Sequence, residues 1–299
     1  MAALYLGGEA GADGSVPTPS AGLFLTEPAR GVVGLAALPL AAPWLAAAPR
    51  GDGRGVLVVP GLLASDMSTA LLRRYLRWLG HDVRGWDLGR NVGPTDAVLD
   101  RLPQTLAALA ETARGPVSVV GWSLGGIYAR ELARQHPGLV RQVITLGSPF
   151  ALTDPRQSRA DGAYRRRSYL HADDGRVPTR EEAARPIGVP STAVYSRRDG
   201  IVSWQACIEP ETAQHENVQV RCGHLGFGVD PATLWLIADR LALPADQWRP
   251  FRPPASLGRL YPRLGAKDAA ANRAGRLLPR LRDRQQHRPR RRGLRSGSW

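Results

Sequence analysis

Residues 116–135 read PVSVVGWSLGGIYARELARQ. An apolar run over 117–122 enters the pentad Gly121-Trp122-Ser123-Leu124-Gly125, and a stretch with helical apolar spacing leaves it over 124–135. A continuous apolar run suits a strand buried on both faces, and the 3.6-residue spacing that follows suits a helix. The bare G-x-S-x-G pattern is expected by chance roughly 0.2 times in a chain of this composition. The flanking strand and helix therefore carry the reading. They place Ser123 on a sharp turn with its hydroxyl above the sheet. Gly121 and Gly125 remove side chains that would collide there. The helix N-terminus behind Ser123 favours negative charge developing nearby.

Apolar runs alternate with helical patterns on both sides of this segment. That predicts an α/β fold, a mostly parallel sheet with helices on both faces. Strands are expected over 56–60, 83–88, 140–146, 192–195 and 218–220. Helices are expected over 67–79, over 96–114 with Asp96 as its cap and a kink or split at Pro103, and over 231–241 behind the cap Asp230. The polar tract 149–190 has no apolar period and reads as a lid-like insertion on the sheet's edge.

A serine hydroxyl is a poor nucleophile. It needs a base, which in turn needs an acid to orient it. On this architecture they follow in the order serine, acid, histidine, on loops after later strands. Asp199, in AVYSRRDGIVSW, fits the acid; Asp173 and Asp174 lie in the insertion, and Asp230 caps a helix. His224, in VQVRCGHLGFGVDP, fits the base, because among the six histidines it alone combines that order with a loop just past a strand. Acyl transfer also needs N–H donors for an oxyanion. Leu124 N–H follows the serine directly, and Leu62 N–H follows the Pro60-Gly61 turn after the first strand. Leu63, Trp122, Leu225 and Phe227 are candidates for an apolar acyl pocket, with plain core packing as the other reading.

The rest of the chain bounds these expectations. It has 299 residues, 43% of them apolar and 22% charged, as in a soluble globular protein. The net charge of +14 would suit a nucleic-acid binder, but ten arginines against the single acid Asp283 fall within 273–299. The body is nearly neutral, so no specific nucleic-acid binding is expected. The basic tail is left as a disordered extension or a weak contact for anionic surfaces. The two cysteines, Cys207 and Cys222, show no metal-ligand spacing. A disulfide between them, bracing the histidine loop, and two free thiols both stay open. Residues 32–49 carry no charge. Pro39 and Pro43 interrupt the run and no basic region precedes it. Residues 1–20 read as a loose leader and 21–48 as an apolar segment packed on the domain, with peripheral membrane contact left open, and a cytoplasmic location follows by default. The expected organisation is an N-terminal extension over 1–50, a catalytic domain over 51–250 with its insertion at 151–190, and a basic, disordered tail over 251–299.

With these motifs in place, 56–243 resembles the α/β-hydrolase superfamily in its esterase/lipase-like branch. The resemblance rests on the elbow GWSLGG, the acid turn DGIV and the histidine loop GHLG. It implies an eight-stranded sheet or a trimmed version, a Ser123–His224–Asp199 triad, a two-donor oxyanion hole and a small-molecule or lipid ester as substrate. No metal or organic cofactor is implied. Many members carry His-Gly in the oxyanion loop, where this chain has Pro60-Gly61. The superfamily also includes acyltransferases, and a non-catalytic member that binds lipid or a partner is a third reading.

Overall fold

The structure is a computed structural model, and it describes residues 18–173, 175–244 and 247–263. Its elements follow as α1 (Ala21–Leu25), α2 (Glu27–Ala46), β1 (Gly55–Val59), α3 (Ala70–Trp78), β2 (Asp82–Gly85), α4 (Asp96–Thr112), β3 (Val117–Trp122), α5 (Leu124–Gln135), β4 (Val140–Leu146), α6 (Asp161–Arg165), α7 (Arg180–Ala184), β5 (Ser191–Ser196), β6 (His215–Val220) and α8 (Pro231–Ala242). The six strands form one parallel sheet in the order β2-β1-β3-β4-β5-β6. Among the described residues this is the trimmed version of the eight-stranded expectation.

Alternate residues of the strands feed two apolar layers. Val56, Val58, Val120 and Ile144 pack with Leu72 and Leu76 of α3 and with α8. Leu57, Val59, Val119 and Val143 pack on the other face with Leu102 and Leu106 of α4 and with α5. Burial on both sides is why β1 is apolar at every position rather than at alternate ones. The strand order reverses around β1. The crevice beyond the carboxyl ends of β1 and β3 is therefore the place where loops can diverge to hold a ligand.

Four local expectations change. Thr95, not Asp96, caps α4, its Oγ1 accepting from Val98 N at 3.3 Å. Pro103 sits inside α4 without ending it. β2 stops at Gly85 because Asp66 accepts the next two amides, Trp86 N at 3.1 Å and Asp87 N at 3.0 Å. The insertion leaves from between β4 and β5, which are interior neighbours, so it rises from the carboxyl end of the sheet and not from its edge.

The N-terminal segment is more regular than its prolines suggest. α2 runs unbroken through Pro39 and Pro43. Both prolines lie on its exposed side, where the carbonyls they leave unbonded stay within reach of water. By length and composition α2 could cross a membrane, with a mean hydropathy of 1.4. Its Ala41 and Leu45 pack into the core, while Val32, Val33, Leu40 and Trp44 are exposed. At the other end the packed body extends past residue 250. Phe251 N donates to Glu216 Oε2 at 2.6 Å, and Tyr261 Oη donates to Ala232 O at 2.8 Å. The arginine-rich stretch 273–299 lies outside the described residues. Cys207 and Cys222 are free thiols, and Cys222 Sγ lies 3.9 Å from Thr233 Oγ1.

Candidate active site

Ser123 sits between β3 and α5 with φ 52° and ψ −120°. A non-glycine residue in this region is strained, and such strain persists only where the surroundings over-determine it. They do so here. A Cβ on Gly121 would overlap Gly125 and Gly126, and one on Gly125 would overlap the Val59 and Pro60 carbonyls. The first turn of α5 is thereby pressed against β1 and β3. Ser148 Oγ donates to Ser123 O at 2.5 Å, and Ser123 N donates to Leu146 O at 2.9 Å. Ser123 is 8% exposed, and its Oγ has no hydrogen-bond partner among the described residues.

Asp199 and His224 follow β5 and β6, two and three strands along the sheet from β3. His224 Nδ1 meets Asp199 Oδ2 at 2.6 Å, and both residues are 4% exposed. The other carboxylate oxygen, Oδ1, accepts Ile201 N at 2.8 Å and Val202 N at 2.7 Å, which fixes its plane. Burial by itself pushes the imidazole down. The Asp199 charge and hydrogen bond, with help from Glu27, outweigh it, and the pKa of His224 is raised above its ordinary 6.5. The Phe227 ring stands edge-on to the imidazole, with centroids 6.1 Å apart. A Cβ on Gly228 would lie 2.9 Å from the Trp122 ring, so the histidine loop is packed directly on the serine turn.

The two expected N–H donors flank Ser123. A Cβ on Gly61 would lie 3.1 Å from Ser123 Cβ, so the chain entering Leu62 passes directly over the serine. The N–H groups of Leu62 and Leu124 carry no hydrogen bond among the described residues.

Three residues that sequence reasoning missed hold this arrangement. Asn91, fully buried, donates from Nδ2 to Pro60 O at 2.9 Å, while its backbone exchanges bonds with Leu63 N and Ala64 O at 2.7 and 2.8 Å. It pins the loop that carries Leu62. Gly147, at φ +53°, passes so close to the pair that a Cβ would lie 3.0 Å from Asp199 Oδ2 and 3.1 Å from His224 Nδ1. Glu27 of α2 accepts amides from both the acid and the histidine loops. In the sequence Asn91 and Gly147 look like ordinary loop residues, and Glu27 is one acid within the apolar segment over 21–48.

A cavity of about 240 Å³ opens beside Ser123. Val98 and Leu102 of α4, Ile127 and Leu132 of α5, and Phe150 and Tyr164 of the insertion line it, with Leu62 and Leu124 at the serine. Charged side chains of Glu131, Asp161 and Arg180 also reach it. The insertion is tied down over α4, where Arg176 binds Asp96 at 2.5 Å and Asp100 at 2.6 Å. The residues expected to form an acyl pocket lie elsewhere. Trp122 and Phe227 are buried in the core beneath, and Leu63 and Leu225 are exposed. Proximity in sequence to the site loops misled, because side chains flanking a strand-end residue point back into the sheet or out to solvent.

No family model matches the chain. A curated relative, the pimeloyl-acyl-carrier-protein methyl ester esterase of Aromatoleum aromaticum, is 37% identical over 78 residues, 24% of this chain and 27% of that protein. Lipase B of Aspergillus fumigatus is 17% identical with a TM-score of 0.48, over 76% of this chain and 62% of that one. One of the metagenome-derived lipolytic enzymes LipS and LipT is 15% identical with a TM-score of 0.49, over 64% of this chain and 93% of that one. The chain thus spans about a quarter of the curated esterase and less than two thirds of the fungal lipase. Its own sheet order, with a strained serine turn after the third strand and helices on both faces, gives this chain the α/β-hydrolase fold.

Proposed function

We propose that this chain is a serine hydrolase that cleaves carboxylic esters with an apolar acyl part. The observation that carries the reading is the 2.6 Å bond between Asp199 and His224, which follow β5 and β6 at the same carboxyl end of the parallel sheet as the strained Ser123 after β3, with a largely apolar cavity beside the serine. In this mechanism His224 Nε2 takes the Ser123 proton as Oγ bonds to the acyl carbon. The carbonyl oxygen becomes an oxyanion facing the Leu62 and Leu124 N–H groups. The bond between acyl carbon and alkoxy oxygen then breaks, and His224 returns the proton to the leaving alcohol. Water, deprotonated by the same base, releases the carboxylic acid and restores Ser123. Asp199 keeps the imidazole in the tautomer that presents Nε2 and stabilises it when charged. Ser123 Oγ carries no hydrogen bond among the described residues, and this mechanism requires it to come within reach of His224 Nε2 when substrate binds.

The test is Ser123→Ala assayed on a short p-nitrophenyl ester, with fluorophosphonate labelling of the wild-type protein alongside. Hydrolysis is expected to fall by about 10³-fold or more, with the fold retained and labelling abolished. Turnover by folded Ser123→Ala at the wild-type rate would refute the assignment.

A further inference from the structure

Glu27, the first residue of α2, is 1% exposed, yet it is a carboxylate. Its Oε1 accepts Gly200 N at 2.7 Å and His224 N at 2.9 Å, and its Oε2 accepts Leu225 N at 3.0 Å. Gly200 follows Asp199, so one carboxylate from the far N-terminal side of the chain binds both the acid loop and the histidine loop. Arg30 pairs with it at 2.8 Å and also donates to Leu23 O and Arg198 O, which sews the α1–α2 corner to the acid loop.

The fit has been cleared of side chains. A Cβ on Gly223 would lie 2.6 and 2.9 Å from the two Glu27 oxygens, and one on Gly200 would lie 2.5 Å from the Leu23 carbonyl. Beyond Glu27 the same face of α2 rides on the histidine loop. A Cβ on Gly31 would touch Leu225 at 3.7 Å, and one on Gly34 would touch Val229 at 3.4 Å. Packing alone asks for an apolar residue at position 27. Burying a carboxylate there is costly unless its hydrogen bonds are needed, and three of those bonds go to the two loops that carry Asp199 and His224.

We infer that Glu27 is a positioning residue that, by binding the amides of both loops, sets the distance and orientation of Asp199 against His224. The inference rests on the triad reading above. It makes α2, despite its membrane-like composition, a working part of the site. The charged groups facing the imidazole are Asp199 from the acid loop and Glu27 from α2, the latter paired with Arg30 of the same helix. Both carboxylates favour the protonated ring, so Glu27 acts on His224 through charge as well as through its amide bond.

The test uses the full-length protein. Glu27→Gln keeps the shape but turns an NH2 group toward backbone donors. On a short p-nitrophenyl ester kcat is expected to fall about ten- to hundred-fold, with KM within about twofold. The acid limb of kcat/KM moves to lower pH, because a negative charge near His224 has gone. Glu27→Asp keeps the charge and returns that limb toward the wild-type position. In a Ser123→Ala background the far-downfield proton NMR signal of the His224–Asp199 bond is expected to shift or broaden on adding Glu27→Gln. That readout needs no turnover, so failure of the esterase reading and failure of this inference are separable. Should Glu27→Gln not fold, Gly223→Ala wedges a methyl group against the Glu27 carboxylate, and the same loss of kcat is expected. Wild-type kcat, pH limb and NMR signal in whichever variant folds would overturn the inference and leave Glu27 as a structural tie.

Discussion

Gly147→Ala asks the most of the proposed site with a single methyl group. Gly147 has φ +53°, and a Cβ there would lie 2.5 Å from Phe227 Cε2, 3.0 Å from Asp199 Oδ2 and 3.1 Å from His224 Nδ1. The left-handed backbone costs an L-residue about 1–2 kcal/mol. Overpacking against a buried ring adds about 1–3 kcal/mol. The sum, about 2–5 kcal/mol, lowers Tm by roughly 4–20 °C in a domain of this size. The chemistry should suffer more than the fold. Phe227 is fully buried and cannot retreat, so the methyl group must displace the Asp199–His224 pair. Losing the acid's hold on the imidazole costs up to about 10⁴-fold in kcat, and a partial displacement about 10²-fold. The assay is kcat and KM on p-nitrophenyl butyrate well below the variant's Tm, with the folded fraction measured by circular dichroism. Gly138→Ala is the control, since nothing lies within 4 Å of a Cβ there and its backbone is unstrained. A folded Gly147→Ala with kcat within threefold of wild type would show that the pair at its side does not limit turnover.

Other perturbations separate stability from chemistry. Asn91→Ala strips the bond to Pro60 O, and is expected to cost about 1–3 kcal/mol in urea denaturation and about 10²-fold in kcat through the Leu62 donor; intact kcat with lowered stability would remove Asn91 from the oxyanion side. Because His224 must be neutral to accept the Ser123 proton and its pKa is raised, kcat/KM should climb with pH along an acid limb centred above 6.5, and a limb below 6.5 would contradict the charge environment described. His81 is driven to about 4 by burial, with Arg141 assisting, and neither ring nitrogen has a hydrogen-bond partner among the described residues. The folded state therefore favours neutral His81. Its contribution is full above the unfolded pKa of 6.5 and shrinks as pH falls toward 4, by at most about 3 kcal/mol. Urea melts at pH 7 and pH 5 should show a larger acid loss for wild type than for His81→Gln, and equal losses would discard the assignment.

What could be read along the chain was whatever local periodicity and local sterics encode. Short apolar stretches mark strands, continuous in β1 and interrupted by polar residues elsewhere, and they pointed to each of the six strands among the described residues. The glycines around Ser123 mark a turn too tight for side chains. Asp199 and His224 were legible as candidates because each follows an apolar run in the order the fold demands. Where the reading went astray, the deciding contact was not local. Pro39 and Pro43 are tolerated in α2 because the side of that helix facing α8 and the histidine loop, not the proline side, is buried. The cavity wall comes from α4, α5 and the insertion, which are apart in sequence and meet over Ser123, so residues flanking the site loops were poor guides to it. The carboxylate of Glu27 reaches the amides of Gly200, His224 and Leu225 across more than half the chain. No spacing or motif announces such a bond, because a carboxylate chooses its partners by distance in space, and only the packed tertiary structure sets that distance.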